Sequence, residues 1–138
     1  MNRTPNRLRS GQHGAVGMMI IMWLVVVVLL GITAIDAGSI AFTKFRLADV
    51  ASTASTTAAN AFRAGSNTVA ACQAAEASIT AEDPAARLAK KGCVVNTQTG
   101  TVTITVRKEA KTIIAGHLSV TKKFTKVSAT ETNGPTAL

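Results

Sequence analysis

AVGMMIIMWLVVVVLLGITAI, residues 15–35, is the stretch on which the reading of this chain turns, because it holds no charged residue. As a helix rising ~1.5 Å per residue it reaches about 31 Å, the thickness of a bilayer's hydrocarbon core. A helix buried in a soluble core is seldom apolar on every side over such a length. In water the four valines 25–28 favour a strand. In lipid every backbone group must be paired within its own segment, so the same residues become helix. The segment reads as a membrane span, and the rest of the chain leads into it, continues it or hangs from it.

The N-terminal arm, residues 1–14, carries Arg3, Arg7 and Arg9 and no acid. Basic residues before a first helix hold that end in the cytoplasm, which places the C-terminal part outside. Lys44 and Arg46 on the far side weaken the asymmetry without reversing it. A cleaved signal peptide is the competing reading. The apolar stretch is longer than a typical h-region, though, and the nearest small-residue cut, at Ala37-Gly38-Ser39, follows Asp36. The arm itself is polar and rich in breakers, and its His13 stands alone.

Beyond the span no stop signal interrupts the helix. No proline occurs from residue 36 to 64, and Leu47, Val50, Ala51, Ala54, Ala58 and Phe62 recur at threes and fours. Residues 36–65 are therefore expected to continue the span as one helix, ended at Gly65. Its small-residue stripe permits close approach of another helix or a sheet. Residues 66–132 read as a small domain. A helix over 67–81 is capped by Ser66 or Asn67, and a further short helix over 84–92 opens at Asp83-Pro84 and ends at Gly92. A hairpin follows over 93–108, where Val102, Ile104 and Val106 alternate with Thr103, Thr105 and Arg107. A last strand over 118–132 and a loose tail, 133–138, complete the chain. The fold class expected is α+β, with a three-strand antiparallel meander laid on the long helix.

Of 138 residues, 47% are hydrophobic, but much of that is the span and much of the remainder alanine. About 100 residues remain for one modest core. Aromatics are few: Trp23, Phe42, Phe45, Phe62 and Phe124, with no tyrosine. Phe42 and Phe45 lie just past the span, where rings favour the headgroup level.

Residues 14–59 resemble the N-terminal segment of TadE/TadG-like proteins of the tight-adherence (Flp) pilus systems. The elements carrying the resemblance are Gly14-Ala15-Val16, the apolar span, Asp36-Ala37-Gly38, and Arg46-Leu47 leading into an alanine-rich helix. Residues 102–132, strand, apolar patch and strand, look like the family's ending. The resemblance implies a pseudopilin-like, single-pass protein of a bacterial cell membrane that helps assemble a pilus or related secretion machine, with other pilus subunits as partners. The chain departs from the family at one point. Subunits cut by prepilin peptidase carry glutamate five residues after the cut, and here Val16, Met19 or Met22 would stand there after Gly11, Gly14 or Gly17. The uncleaved, TadG-like variant is the nearer match.

Three constellations bear on chemistry. Cys72 and Cys93 are the only cysteines, and an extracytoplasmic location permits a disulfide between them. Two separate thiols, or a metal site with His117, are the alternatives; the latter lacks ligands and spacing. Asp36 at the span's outer edge reads as a solvated carboxylate marking the interface, with pairing to a partner subunit's cation as the sharper alternative. The net charge is +8, and Arg107, Lys108, Lys111, Lys122, Lys123 and Lys126 face one nearby acid, Glu109. They form either a solvated strand face or a surface for anionic polymer such as cell wall or DNA, which makes an anchored or secreted basic binding module the alternative function. No phosphate loop, paired histidines or nucleophile–base pattern is present, so neither an enzyme, a cofactor nor a small-molecule substrate is expected.

Overall fold

The computed structural model describes residues 12–134. Its frame is one helix, α1, Gln12–Gly65. The expected arm thus gives up its last three residues to the helix; Arg3, Arg7 and Arg9 lie outside the described residues. The helix is unbroken for a simple reason: the chain's prolines are residues 5, 84 and 135, none of them within it. It ends where Ser66 takes a left-handed φ of 50° and its amide reaches Phe62 O at 2.6 Å.

The two halves of α1 differ in what covers them. Every large apolar side chain from Val16 to Leu30 is between 44% and 75% exposed. Among the described residues nothing packs on this half, which is long and apolar enough to cross a membrane. In the other half Leu47, Ala51, Ala54, Ala58 and Ala59 are completely buried, with Val50 and Phe62 nearly so.

The cover is the chain's own C-terminal part. Helix α2, Thr68–Glu82, runs back along α1. Strands β1 (Arg87–Asn96), β2 (Thr101–Glu109) and β3 (Lys126–Asn133) form an antiparallel sheet in the order β1-β2-β3, also against α1. A one-turn helix, α3 (Lys122–Thr125), precedes β3. The α2 cap is Asn67, whose side-chain oxygen accepts from the amides of Val69 and Ala70. Alternation along β2 sends Val102, Ile104 and Val106 into the core beside Ala71, Ala75 and Ile79 of α2, and leaves Thr103 and Thr105 on the outer face. Those two threonines bond Thr132 and Thr130 of β3 across the strands, both at 2.9 Å.

The expected helix over 84–92 is instead strand β1. Asp83 ends α2, its amide bonded to Ile79 O, and its side chain accepts from Ala85 N, turning the chain at Pro84 rather than opening a new helix. The stretch has only Leu88 as a large apolar residue, so no helical stripe competes with pairing to β2. The conflict between the two preferences survives as a bulge: Leu88 pairs Val106 and Cys93 pairs Ile104, leaving residues 89–92 opposite Thr105 alone. Lys91 takes a left-handed φ of 59° there. A Cβ on Gly92 would come within 2.5 Å of Thr105 O, so only glycine fits. The last strand is also shorter than expected. It starts at Lys126, because residues 113–125 form turns and α3, and it takes in Asn133, expected in the tail.

Candidate functional site

Two contacts with α1, far apart along the helix, mark two ends of the domain. At the far end, Asn133 Nδ2 donates to Thr56 Oγ1 at 2.7 Å, ~30 Å of helix beyond Asp36. At the near end, residues 110–125, which connect β2 to β3, are fastened to α1 where its apolar segment stops.

The fastening is Asp36. It is 6% exposed, and its carboxylate accepts three successive backbone amides: Ile113 at 2.7 Å, Ile114 at 3.0 Å and Ala115 at 2.9 Å. Ser39, one turn on, donates to Lys111 O at 2.6 Å. The connection is also tied within itself: Thr112 Oγ1 accepts from Gly116 N, and Thr121 Oγ1 donates to Ala115 O, both at 2.8 Å. Asp36 is therefore not the solvated marker expected from sequence. Both its oxygens accept from the chain's own backbone, 77 to 79 residues away. Sequence reading missed this because amide donors belong to every residue type; the apolar patch at 112–116 and the acid at the helix exit were visible separately, without a signal joining them.

The amides of Ile113, Ala115 and Ile114 hold the Asp36 carboxyl below its ordinary value of 3.8, against a smaller opposing effect of burial. A second carboxylate, Asp83, is paired with Lys108. There burial works against the charge, but the Lys108 hydrogen bond, the Ala85 amide and the fields of Lys108 and Arg46 outweigh it and the carboxyl is again lowered. Groups with native pKa below the unfolded value contribute stability that is present at neutral pH and lost as pH falls through the lowered value. The thermal midpoint should stay level down to about pH 5 and drop below about pH 4. At neutral pH, Asp36→Asn removes the Asp36 share alone. Amide exchange at residues 113–115 should speed up while β2 amides keep their protection; unchanged exchange at 113–115 would show that the carboxylate does not hold the connection.

The basic cluster is divided by the fold. Lys108 points inward to Asp83 and leaves the exposed set. Arg107 and Lys126 lie on the outer face, joined by Arg87, the register partner of Arg107, which the expected helix over 84–92 had hidden. Lys111, Lys122 and Lys123 are exposed on the connection, and Lys123 Nζ lies 5.0 Å from the Phe124 ring centre. Cys72 on α2 and Cys93 on β1 are at disulfide distance, with Cα atoms 5.8 Å apart. The helix stripe Leu47, Val50, Ala51, Ala54, Ala58 and Phe62 is filled by α2 and the sheet, so it offers no free surface to a second protein. Among the described residues no group of three or more His, Cys, Asp or Glu is placed to hold a metal. Comparison with family models, with curated proteins and with solved structures finds no match to this chain.

Proposed function

We propose that the chain is a single-pass protein of a bacterial cell membrane and a structural or assembly component of a Tad/Flp-type pilus or a related secretion machine. Residues 16–35 lie in lipid, the arginine-bearing arm is cytoplasmic, and the domain built from α2 and the sheet is outside. The observation that carries this reading is the passage of one unbroken helix from a segment that no described residue covers into a segment filled by its own domain. A water-facing half-helix of exposed Met, Ile, Leu and Val would drive aggregation, whereas lipid covers it at no such cost. The cysteine pair suits an oxidising compartment outside the cytoplasm. The pilus assignment rests on the TadE/TadG resemblance, and the missing glutamate favours a permanent anchor over a filament subunit.

Since the alanine stripe is occupied internally, partner subunits must meet the lipid-facing side of α1 or the outer face of the sheet. The test has two parts. Gln98→Cys, exposed in the β1–β2 turn, should react with a membrane-impermeant maleimide in intact cells, while the protein resists carbonate extraction. Release by carbonate, or no labelling, would overturn the topology. A photo-crosslinking residue at Leu29 should then give adducts with other single-pass envelope subunits, and adducts with lipid alone would overturn the assembly role.

A further inference from the structure

We propose that the β2–β3 connection is an interfacial membrane anchor, seated among the anionic phospholipid headgroups of the leaflet from which α1 emerges. The inference rests on the membrane-spanning reading of α1. It starts from an inversion of polarity. The inward side of this connection is polar: its backbone amides meet Asp36, Lys111 O meets Ser39, and Thr125 is completely buried and bonded to Lys122 O. The outward side carries four large apolar side chains among lysines, Ser119 and His117: Ile113 at 56%, Leu118 at 52%, Val120 at 76% and Phe124 at 60% exposure. A connection built for water has the opposite arrangement.

Position names the occupant. The three amide bonds fix residues 113–115 to the first residue past the apolar segment, which brings the connection to the end of the hydrocarbon layer. Phe42 and Phe45, 68% and 77% exposed, are on α1 within three turns of the same level. Charge agrees with this placement. No acid occurs from residue 110 to 130, whereas Lys111, Lys122, Lys123 and Lys126 are exposed there. Lysines beside apolar and aromatic side chains suit a layer of acyl chain ends below phosphates, with stems in the first and ammonium groups on the second. A soluble anionic polymer would engage the lysines but leave the four apolar side chains without a role.

Depth-resolved fluorescence quenching tests this on the full chain reconstituted in vesicles with and without phosphatidylglycerol. Native Trp23 serves as the span's reporter and should be quenched by bromines placed deep in the acyl chains. With Trp23→Phe in place, Val120→Trp and, separately, Phe124→Trp should lose most of their emission to bromines near the carbonyl end of the chains. Gln98→Trp at the far turn should be unaffected. Lys122→Glu with Lys123→Glu should reduce the Val120→Trp quenching in phosphatidylglycerol vesicles. If Trp23 escapes quenching, the spanning reading itself falls. If Trp23 is quenched while both connection tryptophans are not, the span stands and the interfacial anchor is overturned. Salt-sensitive retention on DNA or wall polymer, with the connection tryptophans unquenched, would assign the lysines to polymer instead. Quenching that ignores the charge reversal would overturn the headgroup contact.

Discussion

Ala54→Leu lowers the stability of the C-terminal domain by about 1–3 kcal/mol, as overpacking of a tight core does. Ala54 is completely buried midway along the covered face of α1, among Ala51, Ala58 and Ala59, with Ala71 and Ala75 contributed by α2. Where both helices present methyl groups the backbones approach closely, and three added carbon atoms can enter only by moving α2 or the sheet away. In a domain of about 100 residues each kcal/mol corresponds to roughly 4–8 °C in melting midpoint. Circular dichroism of the detergent-solubilised chain should register that fall. The same side chain at an exposed position of the same helix, Asn60→Leu, should not lower the midpoint. Membrane retention is expected to be unchanged in both variants, because residues 16–35 are untouched. An unaltered midpoint for Ala54→Leu would mean that the two helices are not in contact at this level.

Removing the cysteine pair should have a comparable or larger effect. A link between Cys72 and Cys93, 21 residues apart, restricts the unfolded chain by about 3 kcal/mol in the loop-entropy account. That is a large share of the total stability of a small domain. It also ties α2 to β1, the strand whose pairing is interrupted by the bulge at residues 89–92 and which has the fewest register partners. Cys72→Ser with Cys93→Ser, or reductant on the native chain, should lower the urea midpoint to match, and amide exchange should rise first in β1. Equal midpoints with and without reductant would show that the two thiols are not linked in the folded protein.

What could be read from the sequence follows the range of the interactions involved. The long helix rests on local facts, an absence of proline and a stripe at threes and fours through Leu47, Ala51, Ala54 and Ala58, and these are visible in one stretch. The alternation Val102, Ile104, Val106 likewise marks β2, and Asn67 marks the start of α2. Residues 84–92 were not legible, because Asp-Pro followed by Ala, Leu and Lys satisfies a helix start as well as a turn into a strand, and only pairing with β2 decides. The stripe's partner was equally hidden: small residues announce close approach but not whether the neighbour belongs to the same chain. Least visible was the attachment of residues 113–115 to Asp36, since its donors are main-chain amides and its two halves are separated by most of the domain.

The unbroken course of α1 has a mechanical consequence. From Asp36 to Gly65 the helix extends ~44 Å past the apolar segment, with neither proline nor gap at which to bend. In the membrane-spanning arrangement proposed above, a tilt of about 20° carries the far end of α1 sideways by roughly 15 Å. Rotation of the span about its axis likewise turns the outer face of the sheet through the same angle. In that arrangement the orientation in which this domain meets its neighbours is decided inside the lipid, and a change in bilayer thickness acts on the domain's surface as a lever acts on its load.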